Sequence, residues 1–499
     1  MIAFMFTLRE IINTWHLFPK YLGSIKWIMS LVRITSTNFL ILSSLLVGAF
    51  LFAATGCQLI HVFYLQVESA FFREFAPVVK KVVTLPQIYY AEGQRKDPII
   101  NSTFMTISEC LEGWHHVLNP TKKHAEAALH LCASLHAVSW RNDSLLAMAE
   151  EKLWKQGGYW TLEKRSGDDR KNMISNWERI TLPALRRKEE EVRKTEKEEK
   201  RSNGIDENDN DEALLNYLLQ RKSLESLGKK TADWEEHIAN YITSSERKCI
   251  IHGDYKSANI FLRKRSEEER KAVQSSREGG QGGEDGEGSG KEENDIIANM
   301  IDFQWTGVGI GMQDVSCYVI GSIPIGEMGW KEEIKLDDRS ASSPMEAGTM
   351  TKGKRNGRGN GDVEMRSERE NEAEKIRMRE TMRQVQDRYE ERLLRYYYNC
   401  LPLEIREAEL HSYRYEDAVR DYKICFADYT RFSIAYFLHK CTRDSMRSLR
   451  GYLSAGMQRK SLKQCLWMLR RHGEILDELE RSGGKLSGEL HPQLQGSNE

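Results

Sequence analysis

Three polar side chains follow apolar runs in two separate segments of this sequence. In residues 249–262 (CIIHGDYKSANIFL), Asp254 comes after a short apolar run, and Asn259 follows five positions later. In residues 298–319 (ANMIDFQWTGVGIGMQDVSCYV), Asp302 ends a second apolar run. One carboxylate can accept the proton of an attacking hydroxyl, while an amide oxygen and a second carboxylate can hold Mg²⁺ against nucleotide phosphates. The two segments therefore favour phosphoryl transfer.

A charged and then Gly-rich stretch, residues 264–294, separates the two segments. Such a composition buries too little apolar surface to offset the entropy of ordering, so we predict a disordered insertion. If residues 259–263 and 296–301 form an antiparallel hairpin, the insertion sits at its tip. The cost of closing a loop grows by only about 0.6 kcal/mol per doubling of its length. The insertion therefore need not separate Asp254 from Asp302.

The spacing of these residues resembles that of eukaryotic-like kinases, in which Asp-x4-Asn precedes a strand-borne Asp-Phe-x. The His-Gly-Asp at residues 252–254 resembles the branch of aminoglycoside phosphotransferases and choline kinases. The sequences HGDYKSANIF and IDFQWTGVGIGMQDV look most like the ecdysteroid-kinase-like group of that branch. Because no Lys-Ser/Thr ending follows Gly307, Gly309 and Gly311, we interpret them as turn formers after the magnesium loop rather than as a phosphate loop. The resemblance covers roughly residues 62–335 and, more weakly, residues 385–470.

The resemblance implies a two-lobed, protein-kinase-like α+β fold with a mainly helical second lobe. It implies that Asp254 is the catalytic base and that Asn259 and Asp302 hold Mg²⁺. His252 is expected to support the catalytic loop by hydrogen bonding, and Asp314 to steady that loop through its backbone amides. The implied cofactors are ATP and Mg²⁺, and the implied reaction transfers the γ-phosphate to a hydroxyl of a small molecule.

The first lobe is only partly recognisable. The sequence VESAFFREFAP resembles the family's helix that carries a glutamate, which is Glu68 here. The sequence FMTISECLEGW resembles the hinge, so the backbone of Ser108, Glu109 and Cys110 is expected to meet adenine. Cys110 replaces the acidic residue usual in the family, and backbone contacts would survive that change. Kinases also need a Gly-rich loop and a strand lysine, but residues 38–65 contain no Lys or Arg.

The apolar run at residues 39–60 occupies the place of the missing strands. It carries no charge, and about 20 residues suffice to cross a bilayer as a helix. No strand-like alternation or turn residue divides it, so we predict one continuous helix and membrane association, with the kinase domain in the cytosol. The alternative is a buried segment of the first lobe in a cytoplasmic protein. An incomplete first lobe would also result from a wrongly assigned gene start or from degeneration of the kinase.

The sequence leaves two candidate functions, one an enzyme and the other a binding protein. The first is an ATP-dependent small-molecule kinase, favoured by the retained Asp254, Asn259 and Asp302. The second is a catalytically impaired, membrane-associated pseudokinase that acts as a binding or scaffold protein, favoured by the absent lysine. A net charge of −1 excludes a strongly basic nucleic-acid binder. The expected partner, a small-molecule hydroxyl substrate, is the one that the resemblance implies. Nine cysteines without a CxxC pair support neither a disulfide framework nor a zinc site.

Composition and hydrophobic periodicity give the expected organisation of the chain. Helices are predicted at 64–76, 123–140, 371–398 and 415–455, and a strand at 103–107. The first helix carries one largely aromatic stripe (Tyr64, Val67, Phe71, Phe72 and Phe75), and the second carries one predicted inner face (Leu129, Cys132, Leu135 and His136). The predicted parts are an apolar segment (1–60), a partial first lobe with hinge (61–113), a second lobe with the catalytic and metal loops (114–334, with disordered insertions at 186–212 and 264–294), a disordered linker (335–365), C-terminal helices of the second lobe (366–480) and a tail (481–499).

Overall fold

The chain, described here as a computed structural model, combines long helices with short strands. The longer helices are α1 (Gln58–Ala70), α2 (Lys122–Ser139), α3 (Asp143–Lys152), α4 (Leu227–Ser244), α5 (Met312–Ser322), α6 (383–400), α7 (Tyr415–Phe432) and α8 (Leu462–Arg481). The strands are β1 (Phe6–Thr7), β2 (Ile88–Gln94), β3 (Thr103–Ser108), β4 (His115–His116), β5 (Cys249–Ile251), β6 (Ile260–Lys264), β7 (Ile296–Met300) and β8 (Gly307–Gly309). Shorter helical turns lie at Phe71–Phe75, Ala76–Val79, Asp168–Lys171, Met173–Asn176, Trp177–Thr181, Ser257–Asn259, Phe303–Trp305, Leu403–Arg406, Ser433–Phe437 and Leu438–Lys440.

The strands of the described residues form small antiparallel sheets with the orders β1-β3-β2, β4-β6-β7 and β5-β8. This mixture of helix and antiparallel sheet confirms the α+β class, while the lobes and domain boundaries stay predictions. The structure describes residues 6–7, 58–94, 103–165, 167–187, 190, 194, 224–271, 295–325, 383–408, 412–440 and 462–490. The predicted linker 335–365 and nearly all of the predicted insertion 186–212 lie outside these ranges.

The hairpin predicted on either side of the long insertion is confirmed. Strand β6 pairs with β7 from Ile260 opposite Met300 to Lys264 opposite Ile296. The first residues of the insertion make specific contacts, because the Arg263 guanidinium donates to both carboxylate oxygens of Glu269 at 2.6 and 2.7 Å. Residues 272–294 lie outside the described part of the chain. The insertion therefore leaves from the hairpin tip, beyond the strands that lead to Asn259 and Asp302.

Replacing residues 272–294 with a short Gly/Ser linker should change the free energy of unfolding by no more than about 1 kcal/mol. The reason is that the replaced segment closes a loop at a hairpin tip, where the closing cost depends weakly on length. Chemical denaturation of the two chains measures the difference. A longer deletion that also removes Glu269 is the matched control, and its lost surface ion pair should add about 0–1 kcal/mol. A loss of several kcal/mol in the shorter deletion would mean that the insertion packs on the fold.

Helix α1 is held against the loop that follows β7. The predicted aromatic stripe is present, with Val67, Phe71 and Phe75 buried. The helix widens at Phe71–Phe75, which turns consecutive rings toward the same side. The Phe71 ring stacks on Phe303 with a centroid separation of 3.8 Å and an interplanar angle of 10°. Because Phe303 follows Asp302 directly, this packing fixes Glu68 of α1 near the predicted metal loop.

The predicted membrane segment lies mostly outside the described residues. Residues 58–60 form the start of α1, so they belong to the helix that carries Glu68, and residues 39–57 are not among the described positions. In the described part of the chain, no helix combines the length and apolar character needed to cross a bilayer. On the edge of β3 away from β2, the strand Phe6–Thr7 pairs with Thr103 and Phe104.

Helix α2 begins at a capping box in which the Thr121 and His124 side chains reach each other's backbone ends. The predicted face of this helix is confirmed, since Leu129, Cys132, Leu135 and His136 are all fully buried. The helix thus supplies a rigid apolar support with one polar group, His136, directed toward α5.

The C-terminal helices pack behind strand β5. Helix α7 presents the fully buried Asp421, which accepts two hydrogen bonds from Arg247 at 2.7 and 2.8 Å. The hydroxyls of Tyr241 and Tyr413 also donate to Asp421, at 2.9 and 3.0 Å. Since Arg247 lies two residues before β5, this network ties the start of that strand to α7. In the predicted helix 415–455, α-helix ends at Phe432, and residues 441–455 lie outside the described positions.

Candidate active site

Two strand pairings bring the two motif segments together. Strand β5, which leads into His252-Gly253-Asp254, pairs with β8, which follows the Asp302 loop. At the base of the β6–β7 hairpin, the backbone N–H of Ile301 donates to the Asn259 carbonyl at 3.0 Å. Asn259 and Asp302 therefore flank one hairpin base, and Asp254 lies on the neighbouring loop.

Asp314, in the first turn of α5, holds the loop that carries Asp254. Its Oδ2 accepts from the His252 N–H at 2.6 Å and its Oδ1 from the Gly253 N–H at 2.8 Å. The side chain is fully buried, and His136 Nε2 lies 3.1 Å from Oδ2. His136 Nδ1 in turn lies 2.7 Å from the Tyr397 hydroxyl. These are the backbone amide contacts expected of Asp314, and they show His136 to be a fully hydrogen-bonded core residue.

His252 links the two loops. Its Nε2 donates to the Ile301 carbonyl at 2.8 Å, and its Nδ1 accepts from the Asp254 N–H at 3.3 Å. The ring is buried and lies against Phe303, with centroids 5.0 Å apart. His252 thus fixes the Asp254 backbone relative to the residue before Asp302, which is the supporting role expected for it.

Gly253 cannot be replaced without moving backbone. Its φ is +77°, and a Cβ at this position would lie 2.2 Å from the Trp305 carbonyl oxygen and 2.6 Å from the Gly158 nitrogen. Left-handed backbone and close approach both require glycine. By contrast, the interpretation of Gly307 and Gly309 as turn formers is wrong, because both lie in β8, where neighbouring atoms leave no room for a Cβ.

Asp254 is buried, and only one of its carboxylate oxygens has partners. Oδ2 accepts from Lys256 Nζ at 2.7 Å and from Asn259 Nδ2 at 3.2 Å. Asn259 Nδ2 also donates to the Asp254 carbonyl at 2.9 Å, which directs the amide nitrogen toward Asp254. Oδ1 of Asp254 is buried with no hydrogen-bond partner in the described part of the chain. A buried acceptor without a donor is uncommon and costs free energy, which sets Oδ1 apart from Oδ2 and from both carboxylate oxygens of Asp314.

Lys256 is a site residue that the motif spacing does not single out, although it lies two positions after Asp254. Burial by itself would lower the pKa of Lys256. The charge and hydrogen bond of Asp254 and the charge of Asp302 outweigh burial, so the pKa is raised. Lys256 therefore stays cationic between the two carboxylates. The sequence feature that could have identified Lys256 is its position in the short loop DYKSAN, between two apolar runs.

Asp302 has a strained backbone and a perturbed carboxyl. Its φ and ψ are 68° and 63°, in the left-handed region that few non-glycine residues adopt. Burial and the charge of Asp254 raise its pKa to about 6, against the opposing effects of Lys256 and His252. Strained backbone persists where surrounding structure enforces it, often at functional sites. The loop thus brings a second carboxylate close to Asp254.

Glu68 faces Asp302 rather than a lysine. Its carboxylate accepts a hydrogen bond from the Phe303 backbone, and burial together with the charge of Asp302 raises its pKa from 4.5 to about 8. In the part of the chain that the structure describes, no cation pairs with it. Since the folded chain holds a proton that the unfolded chain releases, this group lowers the free energy of unfolding as pH rises from 4.5 toward 8.

Two clusters of the described residues offer ligand atoms for a cation. In the first, Cys132, His136 and Asp314 have ligand atoms within 4.8 Å of one another. However, the Asp314 oxygens already accept backbone N–H groups, and burial raises the pKa of the Cys132 thiol well above its usual value. A protonated thiol is a poor metal ligand, so we interpret this cluster as structural. Asp302 and Asn259 instead supply the hard oxygen atoms that Mg²⁺ prefers, and they fit the implied cation.

The predicted hinge follows β3. Ser108 pairs with Ile88 at the end of the β2–β3 ladder. Glu109 is engaged with Gln87, since its N–H donates to the Gln87 carbonyl and its side chain accepts the Gln87 N–H, both at 2.8 Å. Cys110 is exposed, and its carbonyl accepts from the Glu112 N–H. Within the described residues, the Cys110 N–H and the Glu109 carbonyl make no hydrogen bond.

An aromatic wall that sequence reasoning missed lies beside the two loops. The Trp305 ring is 4.4 Å from Tyr64, 5.7 Å from Trp154 and 5.8 Å from Tyr159 between centroids. The Trp154 indole also donates to the Gln304 carbonyl at 2.9 Å. The sequence shows these residues only as scattered aromatics, because the fold joins positions about ninety to two hundred and forty apart.

Comparison with protein-family models, curated proteins and solved structures found no match for this chain. The chemistry open to the site therefore follows from its own geometry.

Proposed function

We propose that the chain is an ATP-dependent phosphotransferase with a two-lobed, protein-kinase-like arrangement, which moves the γ-phosphate to a hydroxyl of a small molecule. The observation that carries the proposal is the convergence of Asp254, Asn259 and Asp302, with Asp254 Oδ1 buried and unpaired. These residues come from segments separated by the long insertion. Their meeting at one loop pair is what the resemblance to the kinase branch implies.

In this proposal, Asp254 accepts the proton of the acceptor hydroxyl. Lys256 and Asn259 hold Oδ2, so the carboxylate cannot rotate and Oδ1 is the atom left for the acceptor. Asn259 and Asp302 would hold Mg²⁺, which neutralises charge on the phosphate oxygens when bound. Asp314 and His252 keep the loops in register through backbone hydrogen bonds. Catalysis of this kind rests on positioning and electrostatics.

Nucleotide binding has two further candidate contributors. The free Cys110 N–H and Glu109 carbonyl would form a donor and acceptor pair for adenine at the hinge. Glu68 would be the second contributor, beside Asp302; with a pKa of about 8 it is mainly protonated at neutral pH, and a cation bound there would favour its charged form. Ser108 would act only as the strand end that positions the hinge.

Isothermal titration calorimetry of Mg·ATP into the full-length chain tests the proposal. We expect saturable binding that disappears when EDTA removes Mg²⁺, because two of the proposed contacts act through the cation. A chain that binds no Mg·ATP at millimolar concentration would rule out the kinase and the nucleotide-binding pseudokinase together.

The pseudokinase is the second candidate, and Glu68 is the observation that favours it. With no cation paired to Glu68 in the described residues, the phosphate-contacting lysine of kinases has no counterpart there. The two candidates differ in turnover. Transfer of labelled γ-phosphate to any member of a panel of hydroxyl compounds supports the enzyme, whereas nucleotide binding without transfer or hydrolysis supports the binding protein.

We also propose that residues 39–57 anchor the chain to a membrane, with the catalytic part in the cytosol; the cytoplasmic alternative requires the same run to be buried. Truncation before Gln58 should release the protein from the membrane fraction, because the uncharged run is then gone while α1 stays whole. Truncation before Phe39 is the matched control and should leave the protein membrane-bound. Recovery of the intact chain in the soluble fraction without detergent would contradict the anchor.

A further inference from the structure

Arg165 lies against the aromatic wall and is unlike the other enclosed arginines of the described residues. Arg247, Arg431 and Arg471 each face a buried carboxylate, with ion pairs of 2.7, 2.9 and 3.0 Å. Arg165 has no carboxylate partner in the described part of the chain. Its Nε donates to the Tyr159 carbonyl at 2.8 Å, and the two terminal nitrogens make no hydrogen bond there. The half-buried guanidinium, whose terminal nitrogens make no hydrogen bond to the described residues, can therefore contact a ligand.

Aromatic rings hold this guanidinium in place. Its Cζ lies 4.9 Å from the Tyr436 ring centroid, 5.6 Å from that of Phe432 and 5.9 Å from that of Trp305. Rings at such distances attract a cation and restrict the motion of its plane. The neighbouring Lys164 is different, because its ammonium donates to the carbonyls of Gln156 and Gly158. Of these two neighbouring cations, Arg165 is thus the one whose terminal nitrogens no described residue occupies.

Two contacts connect Arg165 to the proposed catalytic base. Trp305, which Arg165 approaches, lies three residues after Asp302. Tyr159, whose carbonyl accepts from Arg165, has its ring 5.9 Å from the Lys256 ammonium, and Lys256 pairs with Asp254 at 2.7 Å. A compact molecule with its hydroxyl at Asp254 would therefore lie along this wall.

We infer that Arg165 recognises an anionic group of the acceptor, a carboxylate or a phosphate, so that the substrate is a hydroxylated anion. The inference rests on the proposed phosphotransferase function and names its substrate class. A planar guanidinium with free terminal nitrogens suits bidentate contact with either group. A quaternary ammonium alcohol is disfavoured, because the aromatic rings that would enclose it already surround Arg165 and because Lys256 adds a second positive charge.

Calorimetry with four small probes tests the inference: glycerate, glycerol 3-phosphate, glycerol and choline. Each is titrated into the full-length chain with and without Mg²⁺ and a non-hydrolysable ATP analogue. We expect at least one anionic probe to bind at least about tenfold more tightly than glycerol, and choline not to bind. Comparison of glycerate with glycerol 3-phosphate decides between a carboxylate and a phosphate.

Substitution of Arg165 separates recognition from folding. Arg165→Gln should remove about tenfold or more of the anion affinity, while Arg165→Lys retains part of it because the charge remains. Both variants should bind the nucleotide analogue with wild-type affinity, which also shows that they fold. Arg179→Gln, at an exposed arginine, is the matched control and should change neither affinity.

The outcomes distinguish this inference from the proposed function. Equal binding of anionic and neutral probes, or anion binding that survives Arg165→Gln, would overturn the inference. Weaker nucleotide binding in Arg165→Gln with unchanged probe affinity would also overturn it, since Arg165 would then serve ATP. If the wild-type chain binds no nucleotide analogue but retains Arg165-dependent anion binding, the phosphotransferase fails while the anion site stands.

Discussion

Asp302→Asn should abolish Mg²⁺-dependent nucleotide binding without unfolding the chain. The substitution removes one of two proposed cation ligands, and loss of a supporting group alone typically costs about 10–100-fold in metal affinity, so we expect a loss above about a hundredfold. Asparagine accepts left-handed backbone at least as readily as aspartate, so the φ of 68° remains accessible. Calorimetric titration of Mg·ATP into the variant measures the effect.

Although Asp302→Asn should lose nucleotide binding, we expect it to lose no stability in the metal-free chain. In the metal-free chain, burial and the charge of Asp254 disfavour the charged form of Asp302. Removing its charge should leave the melting temperature in EDTA equal to or above that of the wild type. Wild-type nucleotide affinity of Asp302→Asn in the presence of Mg²⁺ would refute the metal assignment.

Asp254→Asn is the natural companion to this experiment. It should keep Mg·ATP binding but lower phosphoryl transfer by about 10²–10⁴-fold, the usual contribution of a general base. The pair of variants thus separates the cation site from proton acceptance.

Asp314→Ala should lower the free energy of unfolding by about 3–5 kcal/mol. It leaves the His252 and Gly253 N–H groups and His136 without their acceptor, in a position that water does not reach. Urea denaturation followed by fluorescence measures the loss. Since the loop carrying Asp254 would lose the two hydrogen bonds that fix its backbone, phosphoryl transfer should fall as well.

Asp233→Ala provides the comparison for Asp314. Asp233 is an exposed aspartate that pairs with Lys229 one helical turn away, at 2.6 Å. Exposed pairs contribute about 0–1 kcal/mol, so its removal should be nearly silent. Equal, small effects of both alanine variants would show that Asp314 does not hold the catalytic loop.

Several local features of the fold followed from sequence alone. The burial of Leu129, Cys132 and Leu135 along α2 follows from helical periodicity, because one face of a helix must meet the core. The β6–β7 hairpin follows from two apolar runs that flank a charged insertion. Such signals are local, since each depends only on neighbours in the chain.

Sequence analysis identified only part of the site. Residue types and spacing singled out Asp254, Asn259 and Asp302, because ligand chemistry restricts which side chains can hold Mg²⁺ or accept a proton. The family resemblance also pointed to Asp314 as the support of the catalytic loop. The role of Lys256 and the pairing of Glu68 with Asp302 were not predictable, since both depend on which charges the fold buries side by side.

The sequence by itself therefore determined which chemical groups are present, namely hard oxygen ligands and a candidate base, and which short elements carry them. Only the tertiary structure decided that Gly253 must be glycine, that Asp254 Oδ1 has no partner among the described residues, and that Arg165 lies against Trp305 and Tyr436 with no described carboxylate beside it. The physical reason is that close approach, desolvation and hydrogen-bond satisfaction arise between residues far apart in the chain. Their energies depend on the atoms that surround a group in space, which residue type and sequence spacing do not specify.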